Sequence, residues 1–461
     1  MAKSTPHFAH PHQAYTAGFY RDADWDFEVR NVLGRACHGA SDVGETLQVI
    51  SAVDEGDHEG WFAAWMGLGT RSVSLADSCA AEGHRISAAA AYLRAATYFA
   101  VAVNAVDGLA PDPRRHGARN RDTTQASVFR KHRAAWDRFV ATTAVPVEPV
   151  RIPYEDTTLP GYFFSGRAAG TPPRALPTLI LVNGSDGALS GLWADAGVGA
   201  VERGYNVLVF DGPGQQSMLF EHGMPFRPDW EAVVTPVVDF VVARADVDAA
   251  RIALYGISQG GFWVPRALAF EHRVAAAIVD PGVVDVSASW TARVPASLLK
   301  LLHKGNAKAF NRDMKIGLAV SAGAARTWAF RARPYGKEGY FDTLIEVLQY
   351  NLSDVASAIN TPIFITNPDG EQFWPGQSQA LAGLVSGPAV VSNFTTEEGA
   401  RLHCQPLARA LTDQRMFDWL DDILAPSEST SVTVPGDTNA GTHLTGQLLE
   451  GRVDVTPQRA H

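Results

Sequence analysis

The most constraining stretch of this chain is Arg251-Ile-Ala-Leu-Tyr255, which runs directly into Gly256-Ile257-Ser258-Gln259-Gly260-Gly261. The first five residues are too few for a helix. An apolar run of that length bounded by glycine reads as a buried strand. Phe262 to Glu271 reads as a helix. A strand that passes into a helix through a glycine-flanked serine makes a sharp turn, and the turn lifts the serine side chain clear of the backbone. Gly256 and Gly260 flank Ser258 because a Cβ at either position would collide with the turn. Gly261 eases the packing of helix on strand. An ordinary glycine-rich turn is the competing reading, and the strand before and helix after weigh against it.

Further short apolar runs surround this one. Thr178 to Val182, Asn206 to Phe210, Ala275 to Val279 and Pro362 to Thr366 are of the kind buried on both faces of a parallel sheet. Val147 to Ile152 and Leu159 to Phe164 read as an entry hairpin. Helical stretches such as Trp230 to Arg244 separate most of the runs. Alternation of this kind specifies a doubly wound, mostly parallel α/β sheet. The gap between Val279 and Pro362 exceeds one crossover. Ala296 to Phe310 and Tyr340 to Leu352 look helical, so a helical insertion of about 285–358 is expected.

The first third has a different texture. From about Phe19 to Ala144 it reads as all helix. Ala88 to Val103 holds no Gly or Pro and is rich in strong helix formers. Asp42 is placed to cap a helix from Val43 to Val53, with Glu45 in its first turn. The expected organisation is a flexible arm over 1–18, a helical domain over 19–145, an α/β domain over 146–425 and a flexible tail over 426–461, rich in Ser, Thr, Gly and Pro. With 461 residues and about 150 per domain, the length allows this division. His7, His10 and His12 lie in the arm without a second ligand cluster, so no metal site is expected there.

Charge narrows the partners. Lys and Arg total 39 and Asp and Glu 49, a formal net charge of -10. Nucleic acid and anionic membranes need clustered positive charge, so neither is expected. The densest basic stretch, Arg114, Arg115, Arg119 and Arg121, reads as a solvated loop. The cysteines Cys37, Cys79 and Cys404 are few, odd in number and widely spaced. They form neither a disulfide framework nor a zinc motif and suit a reducing compartment. Residues Met1 to Gln13 lack the apolar core of a signal peptide, and no run of about 18 apolar residues is apparent. A cytoplasmic protein without cofactor is the expectation.

A serine hydroxyl needs a base to become a nucleophile. In strand–turn–helix sites of this type the partners follow in the chain order serine, acid, histidine. His403 is the histidine that falls between the last core strand and the helix Leu411 to Leu424. The acid should follow the strand ending at Thr366, in Asn367-Pro-Asp369-Gly-Glu371-Gln-Phe-Trp-Pro375. Glu371 is favoured by its distance from the strand end. Asp369 is the alternative, and Asp280, at the end of its own strand, a third candidate. The N–H of Gln259 is one expected donor to an oxyanion. The loop Asn183-Gly184-Ser185-Asp186-Gly187 supplies the other, Ser185 first and Asp186 next. Asp211-Gly-Pro-Gly-Gln-Gln-Ser217 lacks the Lys and spacing of a phosphate loop and is expected to shape the pocket floor. Trp61, Trp65 and Tyr98 are candidate pocket residues from the helical domain, with Tyr92 and Phe99 behind them; core packing is the competing reading for each.

Taken together, Asp211-Gly-Pro-Gly, Arg227-Pro-Asp-Trp230, Gly256 to Gly261, Phe373-Trp-Pro-Gly-Gln377 and Glu398-Gly-Ala with His403-Cys404 resemble the α/β-hydrolases that carry an N-terminal helical domain. That group includes 2,6-dihydroxypseudooxynicotine hydrolase and fungal hydrolases that shorten polyketides. The resemblance covers about Phe19 to Leu424. It implies the α/β-hydrolase fold, a Ser-His-acid triad and a small-molecule substrate under a helical cap. It also implies that a C–C bond next to a ketone, or an ester, is cut in an aromatic or polyketide-like molecule. An esterase, peptidase or acyltransferase on the same triad is the alternative, and a non-catalytic binding protein a remote one. A homodimer is left open. Two departures stand out: Glu371 where Asp is usual, and Gln216 where Gly is common.

Overall fold

The runs of apolar residues pair into one sheet of eight strands, in the order β1-β2-β4-β3-β5-β6-β7-β8. The computed structural model describes residues 14–110, 118–167, 170 and 174–425. Of the expected arm over 1–18, residues 1–13 with His7, His10 and His12 lie outside the described residues, while Ala14–Ala17 forms a helical turn; Arg114, Arg115 and the tail over 426–461 also lie outside them, as do the side chains of Arg119 and Arg121. β1 (Val147–Tyr154) and β2 (Thr157–Phe164) form the entry hairpin. β2 joins β4 (Asn206–Phe210) antiparallel. β3 (Leu176–Val182), β4, β5 (Val247–Ile257), β6 (Ala276–Asp280), β7 (Ile363–Pro368) and β8 (Ala389–Phe394) run parallel. This is the α/β-hydrolase arrangement expected.

Both faces of the central strands are buried, which accounts for their unbroken apolarity. Leu179 and Leu181 of β3, Val207 and Val209 of β4, and Ala253 and Tyr255 of β5 face one core. Ile180, Val182, Leu208, Phe210, Ile252 and Leu254 face the other. β5 lies between β3 and β6, so whatever stands at its carboxyl end is held from both sides.

The N-terminal third is helical: α1 (Ala23–Gly34), α2 (Val43–Ala52), α3 (His58–Ala81), α4 (Arg85–Ala105) and α5 (Ala118–Thr142). Asp42 caps α2, its side chain accepting from the Glu45 N–H at 3.0 Å. Tyr92 and Phe99 of α4 and Trp136 and Phe139 of α5 share a core with Phe164, Leu179 and Val209 of the sheet. The helical segment therefore packs on one face of the sheet, and the described residues up to Leu424 form one compact unit. The stretch Arg85–Gly108 is long and apolar enough to cross a membrane by length and composition, with a mean hydropathy of 1.4. That corrects the reading that no such run exists. Most of that window is buried inside the molecule, so core packing accounts for its apolarity.

Three further departures have local causes. The stretch read as one helix from Ala296 to Phe310 is two, α8 (Ala296–His303) and α9 (Ala307–Ala319). Gly305 between them takes φ +67°, a left-handed conformation that ends a helix, and Asn306 caps the next. Ahead of them lie α6 (Glu231–Val242) and α7 (Gly260–Leu268). After them come α10 (Ala322–Ala332), which was not foreseen, α11 (Tyr340–Val347) and α12 (Arg409–Leu424). β8 was also not foreseen: it is an edge strand in which only Phe394 is buried, and it carries no long apolar run.

Candidate active site

Ser258 stands directly after β5 and before α7, with φ at +55°. A non-glycine residue in this region is strained and is held only where its surroundings over-determine it. Here they do. The Ser258 N–H donates to the Asp280 carbonyl at 2.7 Å, and the Ser258 carbonyl accepts from the Gly261 N–H at 2.8 Å. A Cβ at Gly256 would lie 2.3 Å from the Gly260 carbonyl oxygen. One at Gly260 would lie 2.8 Å from that of Val182. Both flanking glycines are thus required by close approach.

Ser258 Oγ is 2.9 Å from Nε2 of His403. Nδ1 of His403 is 2.9 Å from both carboxylate oxygens of Glu371. Glu371 also accepts from the N–H groups of Phe373 and Trp374, at 2.9 and 3.2 Å. Burial raises its pKa, but His403 and these N–H groups outweigh burial and hold the carboxyl below its ordinary value. Asp369 turns the other way. It is exposed and accepts from the N–H and hydroxyl of Thr396. Asp280 is committed elsewhere: its buried carboxylate accepts from Thr366 Oγ1 at 2.7 Å, Arg409 at 2.9 Å and Tyr255 at 3.1 Å. The three candidate acids are thereby separated, and Glu371 alone of them bonds to His403.

The loop carrying His403 is pinned from several directions. Its N–H donates to Gln372 Oε1 at 2.9 Å. Arg409, the first residue of α12 and buried, donates to the carbonyls of Cys404 and Asp195 at 2.8 and 2.6 Å. The imidazole packs against Phe373 and Trp374, with centroids 4.8 and 5.6 Å away, and against Phe27 of α1 at 6.1 Å.

These residues open on a cavity of about 290 Å³. Ser185 and Asp186, Gln259, Gly214 and Gln216 line it with Ser258 and His403. The loop from Asp211 therefore does contribute to the pocket. Of the candidates from the helical segment, Trp61 lines the cavity. Trp65 and Tyr98 do not: both are fully buried and belong to the core between the helices. Trp65 packs edge-on against Trp61 at 5.5 Å, and the Tyr98 hydroxyl donates to Glu45 at 2.6 Å. Tyr92 and Phe99 are core residues as well. Helical spacing marks a buried face but cannot tell a core from a cavity wall.

Comparison with known proteins now places the chain. Hydrolase acrC of Aspergillus aculeatus is 30% identical over 433 residues, covering 88% of this chain and 97% of that protein. The chain belongs to the α/β-hydrolases. The hydrolase is also 29% identical over 428 residues to 20-hydroxy-prefusarin hydrolase of Gibberella moniliformis, covering 90% and 98% of the two chains. Among solved structures, 2,6-dihydroxy-pseudo-oxynicotine hydrolase shares its fold at a TM-score of 0.65 and 20% identity, over 85% of this chain and 95% of that one. No family model matches.

Much of the hydrolase's cavity wall was not singled out from the sequence. α1 contributes Asp24, Trp25, Phe27 and Glu28, and the insertion contributes Trp290, Arg326, Phe330, Arg331 and Tyr335. Glu28 has no hydrogen-bond or ion-pair partner among the described residues. Burial pushes its carboxyl up to about 7; Arg35 opposes that shift and Asp186 adds to it. Asp186 is also raised, first by loss of water, with the Ser185 hydroxyl and His403 opposing. Among the described residues no cluster of His, Cys, Asp and Glu could hold a metal ion.

Proposed function

We propose that this hydrolase uses Ser258 as nucleophile, His403 as general base and acid, and Glu371 as the acid of the triad. We further propose that it cleaves a C–C bond next to a ketone, or an ester, in an aromatic or polyketide-like small molecule. The observation that carries the reading is the continuous relay from Glu371 through His403 to Ser258, each contact at 2.9 Å, at the floor of a cavity.

Ser258 Oγ attacks the carbonyl carbon while His403 Nε2 takes its proton. Glu371 holds the other imidazole nitrogen protonated and stabilises the imidazolium. The oxyanion is received by N–H groups of Gln259 and of the loop after β3. Ser185 is taken as the donor of that loop and Asp186 as the alternative, since both line the cavity with Ser258. Collapse of the intermediate expels the leaving group, which takes the proton from His403. Water, deprotonated by His403, then releases the acyl group. A carbon leaving group departs as an enolate and so needs an activating ketone. The aromatic lining from Trp25, Phe27, Trp290, Phe330, Phe373 and Trp374 supports a flat, conjugated substrate.

A fluorophosphonate probe should label the wild-type hydrolase at Ser258 and leave Ser258→Ala unmodified. Product analysis on matched aryl 1,3-diketones and aryl esters then reads the bond cut. A folded wild-type protein that resists the probe would remove the nucleophile from this reading.

A further inference from the structure

α10 forms one wall of the cavity, and Arg331 stands on it. Several buried or half-buried guanidiniums among the described residues face carboxylates: Arg35 faces Asp195, Arg133 faces Asp211 and Arg409 faces Asp280. Arg333, two residues on, faces Asp107. Arg331 does not. Its Nη2 donates to the Ser289 hydroxyl at 2.7 Å, and its guanidinium lies over the Trp290 ring at 4.6 Å. Both partners are neutral, and no carboxylate lies within ion-pair range among the described residues. Asp24 and Asp186 act on it only through space, with Arg293 opposing them. Arg326, on the same helix, also lines the cavity, without an ion pair among the described residues.

A cation withdrawn from water without a counter-charge is costly. Burial accordingly pushes the Arg331 pKa below its ordinary value. The Ser289 and Trp290 contacts fix the plane of the guanidinium, and Tyr335 beside it donates to Gln259 Oε1 at 3.4 Å. The wall that bears the unpaired cation is thus tied to the residue after Ser258. A planar guanidinium matches a planar, delocalised oxyanion through two parallel hydrogen bonds.

We infer that Arg331 is an anion-recognition site, and that the substrate carries a delocalised oxyanion, a carboxylate or the enolate of a 1,3-dicarbonyl, that completes the missing ion pair. That the bound anion is a substrate rests on the Ser258 reading; the anion site itself does not.

Binding tests it without turnover. The full-length protein is titrated with 4-phenylbutyrate, with the neutral 4-phenylbutanamide, and with 1-phenylbutane-1,3-dione above and below its own ionisation. Calorimetry and quenching of tryptophan fluorescence give the affinities. The anionic forms should bind about tenfold or more tightly than the neutral ones, as expected for a hydrogen-bonded charge. Preference for the butyrate assigns a carboxylic acid; preference for the ionised diketone assigns an enolate. Arg331→Gln should bring the anion-to-neutral ratio close to one, and Arg331→Lys should leave it between the two. A wild-type ratio of one, an unchanged ratio in Arg331→Gln, or no binding of any probe overturns the inference. Fluorophosphonate labelling of the same samples is read separately. Failed labelling with an intact ratio removes the hydrolase reading and leaves the anion site standing. Intact labelling with a ratio of one does the reverse.

Discussion

Replacing Glu371 by Gln keeps the length of the side chain and removes its charge. The Gln carbonyl can still accept from the N–H groups of Phe373 and Trp374, so the loop keeps its shape. The amide nitrogen then faces His403 Nδ1, at the place where a carboxylate oxygen stood 2.9 Å away. An NH₂ there obliges Nδ1 to accept, which puts the imidazole proton on Nε2, facing Ser258, and ends its service as a base. The developing imidazolium also loses its counter-charge. At about 4 Å and an effective dielectric of about 20 that pair is worth roughly 4 kcal/mol, or about a thousandfold in rate. The expected result is a fall of about 10³-fold in kcat on an aryl ester, with little change in melting temperature. Asp369→Asn is the control. Its carboxylate is exposed and bonded to Thr396, and the loss should stay within about threefold. Steady-state kinetics and the rate of fluorophosphonate labelling both read the difference. Equal losses in the two variants, or less than about tenfold in Glu371→Gln, would refute the reasoning.

Gly184→Ala would place a Cβ 2.8 Å from Ser258 Cβ and 3.3 Å from its Oγ. The expected outcome is about a hundredfold loss of labelling rate in a protein that still folds; unchanged labelling would mean that Gly184 does not crowd the serine. Glu28 gives a pH signature. Its carboxyl is raised from 4.5 to about 7 in the folded chain, so the folded state binds more protons than the unfolded state across that window. Stability is therefore lost as pH rises from about 4.5 to about 7. Glu28→Gln should gain roughly 1–3 kcal/mol over the parent at pH 8 relative to its difference at pH 4.5, measured by urea unfolding. A difference that does not change with pH would assign Glu28 a solvated position.

The elements of the sheet were legible because their signals are local. A strand buried on both faces must be apolar throughout, and Thr178 to Val182 or Asn206 to Phe210 satisfies that without reference to any other part of the chain. The turn at Gly256 to Gly260 was legible for the same reason: the glycines answer to atoms a few residues away or in the adjoining strand. β8 escaped because an edge strand with a single buried residue, Phe394, leaves only a weak pattern.

What lies between elements was not legible. Trp61 and Trp65 sit one turn apart on α3, yet one lines the cavity and the other is enclosed by helices. Arg331 and Glu28 read as ordinary helical charges until α10 and α1 are folded beside the same cavity. The sequence by itself determined the sheet apart from its edge strand β8, the helical first third and the sharp turn that carries Ser258 at the end of β5, since backbone periodicity and glycine sterics act over a few residues. Only the tertiary structure separated Glu371 from Asp369, two residues apart in one loop. Which of them meets His403 depends on how that loop lies against a chain segment 32 residues further on. His403 in turn reaches a serine 145 residues before it. Contacts over such separations are set by the packing of the sheet and its loops, and no local pattern encodes them.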